Sequence, residues 1–445
     1  MDNARLIALK ALLKVRYNGG YSNIVIDNIL NNSNLNRKDK SFVTAIFYGV
    51  LERSIELDYI ISICSNIKLK KISKDNLEIL RIGIYQIKYM DKVPNSAAIN
   101  ESVNLAKIRK QFKSTGFINA VLRSVAKNID AIKFPDKSKN ALLYYSVKYS
   151  CPEWLVEHFV NCYGSINAIE ILDSLSGNPP LIIRTNTIKN STDDLIEFLK
   201  QEGIGSKKLL IDNSLEINLT DSIANLKAFS EGRFHVEDLA SQICCEILDP
   251  REGQTVIDVC AAPGGKSFNI AQRMNNKGKV LSFDLYESKV NLINNEAKRL
   301  GIKIINAKVR DASKGENDLP FADRILCDVP CSGLGIIKRK PEIRYKNKEI
   351  LDSLTSLQYL ILCRSEKFIK KDGILIYSTC TLNPLENSYI ADRFLKEHTN
   401  YEPYIIKLPK GIKRGIEEPL NQLTLLPNKN STDGFFIAAF KRCKN

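Results

Sequence analysis

The sequence predicts a multidomain protein with an all-α N-terminal domain, a small α+β middle domain and a C-terminal α/β domain with a mostly parallel sheet. Three observations support this prediction. The chain has 445 residues, which is more than one hydrophobic core usually organises. Apolar residues recur at helical spacing up to residue 128, and strand-like and helical segments alternate from residue 253 onward. We place the domains at residues 1–130, 141–235 and 236–445.

The all-α domain is predicted from five amphipathic segments that show no strand-like alternation. Turn residues separate the segments, including NGG at residues 18–20 and VPNS at residues 93–96. The five segments comprise residues 4–15, 40–64, 75–90, 96–108 and 116–128.

The two following domains are predicted from a change in pattern after a linker at residues 129–145. The middle domain has a strand at residues 181–187, a helix that ends at Gly203 and a hairpin-like stretch at residues 207–219. In the last domain five strands alternate with helical segments. This order predicts a doubly wound sheet whose ligands bind at the carboxyl ends of the strands.

The composition excludes several classes of protein. No uncharged apolar run reaches 18 residues, so we expect no membrane span, and charges at the N-terminus exclude a signal-peptide core. The 11 cysteines form no CxxC pair and only three histidines are present, so a disulfide scaffold and a zinc site are not expected. We expect a cytoplasmic monomer without a metal.

The positive charge is concentrated in the helical domain. The whole chain has a net charge of +15, and residues 1–130 contain 21 Lys/Arg against 11 Asp/Glu, which is +10. A basic module attached to a more neutral body favours a polyanionic partner, and nucleic acid is the first candidate. The alternative is a solvated basic surface without a partner.

A glycine-rich turn follows the first strand of the last domain. In DVCAAPGGKS (residues 258–267) small residues allow a ligand to approach the backbone, and Gly264-Gly265 can adopt a turn with positive φ. The GxGxxG spacing of a dinucleotide site is absent. The turn therefore favours a ligand with one adenosine and no phosphates.

Acidic residues close the next three strands. Asp284 lies 26 residues after Asp258, where a carboxylate can accept hydrogen bonds from both ribose hydroxyls. Asp311 could accept the adenine amine, and Asp328 closes the fourth strand. Each alone could be a helix cap or turn residue. Together, above the glycine-rich turn, they predict an adenosine-bearing cofactor such as S-adenosylmethionine.

Two cysteines follow neighbouring strands of the same predicted sheet. Cys331 lies in CDVPCSGLG (residues 327–335) and Cys380 in STCTLNP (residues 378–384), and both loops open on the cofactor edge. A thiolate that adds to carbon 6 of a pyrimidine makes carbon 5 nucleophilic toward a methyl donor, and it also departs well. Asp328 could bond the exocyclic amine of the base. Two structural cysteines are the alternative, and Cys327, inside the strand, is expected to be buried and inert.

The motifs resemble those of the Sun-type RNA (cytosine-5) methyltransferases. The matching stretches are DVCAAPGGKS, FDLYESKV, VRDAS, CDVPCSGLG and YSTCTLNPLEN, and the basic helical module resembles the NusB-like RNA-binding domain that precedes such catalytic cores. The resemblance covers essentially the whole chain. It implies a Rossmann-like class I methyltransferase domain and, as substrate, a cytosine of 16S rRNA, either naked or in an early small-subunit particle.

The resemblance also implies roles for individual residues. Cys380 would be the nucleophile and Cys331 would assist release of the methylated base. Two alternatives remain open at this point, namely a cytosine-5 methyltransferase that acts on tRNA and a non-catalytic RNA-binding ribosome-assembly factor. The residues implied to hold S-adenosylmethionine are Cys260, Ala261, Ala262, Pro263, Gly264, Gly265, Lys266, Asp284, Asp311 and Asp328.

Further RNA contacts are predicted from two polar stretches. Residues 336–349 contain six basic residues and two glutamates around Tyr345, which could hold phosphates and a stacked base. A solvated surface loop is the alternative. Arg184, Asn186 and Lys189 of the middle domain could bridge the RNA between the other two domains.

Overall fold

The computed structural model of the protein describes residues 3–219, 222–314 and 319–443. The chain forms two compact units. Unit 1 comprises Met1–Gly177 and Ile337–Lys348, and unit 2 comprises Asn178–Ile336 and Glu349–Asn445. Residues 141–177 therefore belong with the helical unit, and both sheets of the chain's described residues lie in unit 2. The three domain boundaries proposed from the sequence stay a prediction.

The described residues of unit 1 form helices joined by turns and loops, with no β-strand among them. Its core is formed by fully buried side chains such as Leu9, Ile46, Phe47 and Leu80. Two details differ from the predicted segments. The helix Ser22–Asn31 was not predicted, and the predicted helix at residues 40–64 breaks at Arg53. The helices are Ala4–Asn18 (α1), Ser22–Asn31 (α2), Arg37–Glu52 (α3), Ser54–Cys64 (α4), Lys74–Tyr89 (α5), Asn95–Ile108 (α6), Thr115–Asn128 (α7), Ala141–Tyr149 (α8) and Glu153–Ser174 (α9).

The segment Ile337–Lys348 packs into unit 1. Arg344 is fully buried, and its guanidinium donates to the carbonyls of Glu52, Tyr149 and Leu175, at the carboxyl ends of α3, α8 and α9. Helix ends leave such carbonyls without intrahelical partners, so one arginine satisfies three of them. The hydroxyl of Tyr345 donates to Leu51 O at 2.8 Å. The prediction that this stretch is an RNA-contacting loop is therefore wrong for Arg344 and Tyr345.

The smaller sheet of unit 2 has four antiparallel strands in the order β2-β3-β1-β4. Ile183, Leu195, Leu215 and Phe234 fill its core with the helix that crosses it. A capping box that starts at Ser191 begins that helix. The elements are Leu181–Thr185 (β1), Thr192–Gln201 (α10), Gly205–Lys208 (β2), Ser214–Asn218 (β3), Lys227–Ser230 (α11) and Phe234–Val236 (β4).

The polar residues of this sheet that we expected to bridge RNA have structural contacts instead. Arg184 is buried, and so is Asn186, whose amide donates to Gly232 O and Leu300 O at 2.8 Å each. The ammonium of Lys189 donates to backbone carbonyls at residues 231 and 299. These bonds attach the small sheet to the larger domain. The predicted RNA role is therefore wrong for the buried Arg184 and Asn186, whereas it stays a prediction for Lys189, which is exposed.

The larger sheet has the order β10-β12-β9-β8-β5-β6-β7, and β11 pairs with β12. Strands β9, β8, β5, β6 and β7 are parallel, whereas β10, β11 and β12 add antiparallel strands at one side. The strands are Thr255–Asp258 (β5), Lys279–Asp284 (β6), Ile305–Val309 (β7), Ala322–Asp328 (β8), Ile369–Thr379 (β9), Tyr401–Pro403 (β10), Gln422–Leu425 (β11) and Phe435–Arg442 (β12). This mostly parallel sheet confirms the predicted fold class.

In the sheet, β6 and β7 lie on one side of β5, whereas β8 and β9 lie on the other side. The direction in which strands are added therefore reverses at β5. Doubly wound sheets bind ligands at such a reversal, outside the carboxyl ends of the strands. No helix among the described residues is long and apolar enough to cross a membrane. The helices are Leu239–Leu248 (α12), Gly265–Arg273 (α13), Glu287–Leu300 (α14), Thr355–Ser365 (α15), Ser388–Glu397 (α16) and Pro427–Asn430 (α17).

Candidate active site

The two loop cysteines meet above the carboxyl ends of β8 and β9. The Sγ atoms of Cys331 and Cys380 are 3.2 Å apart, and both cysteines are free thiols with partly buried side chains. The strands bring them together because β8 and β9 pair in parallel with Asp328 opposite Ser378. Cys327 is fully buried inside β8, as expected.

The surroundings of Cys331 favour its protonated form. The hydrogen bond to Cys380 and burial raise the pKa of the Cys331 thiol well above its usual value, and the nearby carboxylates of Glu386 and Asp328 act in the same direction. Either sulfur can be the donor of the hydrogen bond between the two thiols.

A partly buried ion pair lies beside the Cys331 loop. Lys266 Nζ is 2.8 Å from Asp328 Oδ2, and Ser378 donates to Asp328 Oδ1 at 2.9 Å. Burial alone would lower the pKa of Lys266, but the Asp328 carboxylate outweighs it and the pKa lies well above the usual value. Lys266 is therefore a cation under all physiological conditions, at the end of β8.

The glycine-rich turn crosses the ends of β5 and β6. Ala261 N donates to Phe283 O at 2.7 Å, which ties the turn to β6. Gly264 has φ of 111°, and a Cβ there would lie 2.4 Å from the Phe268 ring, so only glycine fits. Cys260 is largely enclosed, and burial raises the pKa of its thiol well above the usual value. The peptide groups of this turn, rather than a reactive thiol, are what it offers a ligand.

Asp258 supports the turn from below. It is buried at the end of β5 and accepts a hydrogen bond from Ser267 Oγ at 2.8 Å. Its Oδ1 atom has no hydrogen-bond partner among the described residues. Burial raises the pKa of Asp258 to about 7.

Two further carboxylates lie at the same edge of the sheet. Asp284 closes β6, is 7% exposed and accepts a bond from Tyr286 N at 3.2 Å. Asp311 lies two residues beyond β7 and accepts from the hydroxyl of Ser313 at 2.6 Å, a bond that holds the pKa of Asp311 below its usual value. The turn, the orphaned oxygen of Asp258 and these two acceptors fit an adenosyl group with polar edges.

The sequence reasoning missed Glu386 as a site residue. This side chain is completely buried, and its carboxylate accepts four hydrogen bonds, two of them from Ser332 beside Cys331. The sequence held one signal, an acidic residue in the otherwise uncharged stretch STCTLNPLEN. Lone glutamates in turns are usually exposed, so the pattern alone could not distinguish this one. Among the residues that the structure describes, no group of three His, Cys, Asp or Glu could hold a metal ion.

The chain matches known families over most of its length. Residues 245–441 match the family 16S rRNA methyltransferase RsmB/F, residues 2–127 match the NusB family, and residues 151–219 match the ferredoxin-like domain of RsmF/B-like methyltransferases. These matches confirm the predicted helical, α+β and methyltransferase parts of the fold.

Two curated relatives and one solved structure align with nearly the whole chain. The probable ribosomal RNA small subunit methyltransferase B of Bacillus subtilis is 36% identical over 99% of both chains. The protein of the same name from Synechocystis is 32% identical over 99% of this chain and 100% of its own. The crystal structure of PH0851 has a TM-score of 0.81 at 26% identity, and covers 98% of this chain and 99% of that one. The chain therefore belongs to the RsmB/F family of 16S rRNA methyltransferases, and it is an enzyme of the methyltransferase class.

Proposed function

We propose that the protein transfers a methyl group from S-adenosylmethionine to carbon 5 of a cytosine in 16S rRNA, through a covalent bond between Cys380 and carbon 6 of the base. The observation that carries the proposal is the 3.2 Å contact between the Sγ atoms of Cys331 and Cys380 at the cofactor edge of the sheet. The names of the relatives, which are small-subunit rRNA methyltransferases, support the class of substrate.

The residues around the glycine-rich turn would hold the cofactor. When bound, S-adenosylmethionine supplies a methyl group on a positively charged sulfur. The turn from Cys260 to Lys266 offers its peptide groups, and Asp284 would accept the ribose hydroxyls, as expected from its place at the end of β6. Asp311, held ionised by Ser313, would accept the adenine amine.

The two thiols divide the work on the base. Attack by the Cys380 thiolate on carbon 6 would move the electron pair of the ring double bond to carbon 5. Carbon 5 would then form a bond to the methyl carbon as the bond between that carbon and the sulfonium sulfur breaks, which leaves a neutral thioether. A base removes the proton from carbon 5, the bond between Cys380 and carbon 6 breaks, and the double bond returns. Cys331, in contact with the attacking sulfur, lies where it can assist this release.

The ion pair beside the thiols would orient the cytosine. Asp328 has a second lone pair on each oxygen even while it accepts from Lys266 and Ser378, so it can also accept the exocyclic amine of the base. A hydrogen bond from that amine to Asp328 would fix the base above Cys380. Lys266 would hold the Asp328 carboxylate in place through the 2.8 Å ion pair.

The helical unit would supply affinity for the rRNA backbone. Its +10 charge over residues 1–130 suits contacts with phosphates, which position a substrate without reading its sequence. Such contacts leave recognition of the target cytosine to the catalytic unit.

Direct methylation assays test the proposal. The purified protein is incubated with S-adenosylmethionine and 16S rRNA, an assembled small subunit or a tRNA pool, and 5-methylcytosine is mapped by mass spectrometry of nuclease digests. We expect methylation of 16S rRNA that disappears in Cys380→Ala. Equal activity of Cys380→Ala, or modification of tRNA alone, contradicts the proposal. Calorimetric titration with S-adenosylmethionine tests the non-catalytic alternative, which predicts no binding.

A further inference from the structure

The residues that directly follow the two thiols are joined by hydrogen bonds. Ser332 Oγ lies 2.7 Å from Thr381 Oγ1 and 2.5 Å from Glu386 Oε1. When the Ser332 hydroxyl donates to Glu386, Thr381 must donate to Ser332. A hydrogen-bonded chain thus runs from the Cys380 loop through the Cys331 loop to one carboxylate.

Glu386 receives two donors on each of its oxygens. Oε1 accepts from Ser332 Oγ and from Asn383 Nδ2 at 2.9 Å, and Oε2 accepts from Ser332 N and from Gln358 Nε2, both at 2.8 Å. Three of the four partners are N–H groups, which can only donate. A fully buried carboxylate is therefore saturated with donors from both thiol loops and from α15.

The backbone on either side of the thiols is held by the same cluster. Gln358 also donates to Pro330 O at 2.9 Å, directly before Cys331. Asn387 accepts from Thr379 Oγ1 at 2.6 Å and donates to Thr381 O at 2.9 Å, so it brackets Cys380. Each cysteine thus lies between two residues whose positions are fixed by this network.

We propose that Glu386 is a positioning residue that holds the Cys331 and Cys380 loops in a single register, so that the two sulfurs face the same carbon pair of the substrate. The chemical meaning of this register rests on the proposed function. The geometric claim does not, because the 3.2 Å contact of the sulfurs can be measured without any methyl transfer.

Glu386→Gln tests the claim because an amide has almost the same shape but carries an NH₂ group in place of one oxygen. Whichever way the amide turns, its NH₂ group faces two of the four donors, so at least one loop must move. Glu418→Gln is the matched control. Glu418 is also a buried carboxylate that accepts an N–H and an O–H, but both come from Thr424, outside the thiol loops.

The rate at which diamide oxidises the two thiols to a disulfide reports on the distance between the sulfurs. The two thiols lose two hydrogens, which reduce the diazene bond of diamide to a hydrazine, and the sulfurs form a disulfide. Mass spectrometry of digests measures the rate at which the peptides of Cys331 and Cys380 become linked. We expect a fall of about tenfold or more in Glu386→Gln and no change in Glu418→Gln. A wild-type rate in Glu386→Gln overturns the proposal, whatever the activity of the enzyme.

Steady-state kinetics distinguish positioning from a general loss of structure. In Glu386→Gln we expect kcat for methyl transfer to fall by about 10- to 100-fold, while the Kd for S-adenosylmethionine stays at the wild-type value. If Glu386→Gln does not fold, Ser332→Ala replaces it, since this variant removes only the central hydroxyl and should still slow disulfide formation. Slow linkage together with a wild-type enzyme that methylates no RNA supports the positioning role and contradicts the proposed function.

Discussion

Lys266 Nζ and Asp328 Oδ2 form an ion pair of 2.8 Å, in which Asp328 lies at the carboxyl end of β8, three residues before Cys331. The two side chains come from elements 62 residues apart in the chain, namely the start of α13 and the end of β8. The pair therefore links the glycine-rich turn to the thiol loop, so that the cofactor side and the base side of the site share one electrostatic contact.

Lys266→Met should destabilise the protein because it leaves the Asp328 carboxylate partly buried without its cation. The two side chains keep 13% and 26% exposure, so we expect a loss of about 2–4 kcal/mol in the free energy of unfolding, less than for a fully enclosed pair. Urea denaturation measures the loss. Lys279→Met, at an exposed lysine in the same unit, is the control. Equal stability of the two variants contradicts this account.

Asp258→Asn should stabilise the protein increasingly as the pH rises. Burial raises the pKa of Asp258 to about 7, above its unfolded value, so between about pH 4 and 7 the folded state binds more protons and the contribution of Asp258 to stability falls with pH. The stability of the variant relative to wild type should rise by at most about 1.4 kcal/mol per pH unit up to pH 7, then level off. Denaturation from pH 5 to 8.5 measures this. A stability difference between variant and wild type that does not change with pH would falsify the prediction.

Asp284→Asn should weaken the binding of S-adenosylmethionine by about 10- to 100-fold, because hydrogen bonds to a charged acceptor contribute about 1.5–3 kcal/mol each. Isothermal titration calorimetry measures the change. Asp323→Asn is the control, since Asp323 lies near the amino end of β8, at the edge opposite to the cofactor. Wild-type affinity in Asp284→Asn would show that the ribose is held elsewhere.

Arg344→Met should destabilise the helical unit by about 3–5 kcal/mol, since the carbonyls of Glu52, Tyr149 and Leu175 would each lose a buried donor. Thermal and urea unfolding of the full chain measure the effect. Lys348→Met, at an exposed position of the same segment, is expected to change little. A loss below about 1 kcal/mol for Arg344→Met would mean that the segment does not support the helix ends.

The sequence predicted the catalytic half of the fold better than the helical half. Alternating strands and helices with an acidic residue at or just after the ends of four strands have few other interpretations, and β5 to β9 were all anticipated. Helix α2 was missed because three asparagines and an aspartate interrupt the five apolar residues of SNIVIDNILN. Strands β10 and β11 were missed because three- and four-residue strands carry too little pattern.

The convergence of Cys331 and Cys380 followed from topology, but the network beneath them did not. Parallel strands place their following loops together, so two thiols after β8 and β9 had to approach each other. The place of Glu386 in the site depends on hydrogen bonds to residues that are distant in the chain, and a local sequence pattern does not predict such bonds. For Arg344 the sequence predicted a function where the structure shows a structural role. A stretch of basic and aromatic residues is compatible both with RNA contact and with the capping of helix ends, and the sequence does not distinguish the two.

The covalent step is the central claim, and the protein–RNA adduct of Cys331→Ala tests it most directly. This variant should attack the base through Cys380 but release it slowly, so incubation with S-adenosylmethionine and 16S rRNA should produce an adduct that survives a denaturing gel. Digestion and mass spectrometry should locate the nucleotide on the peptide that contains Cys380, and Cys331→Ala combined with Cys380→Ala should give no adduct. An adduct formed by Cys380→Ala and absent from Cys331→Ala would contradict the account, because Cys331 would then be the nucleophile.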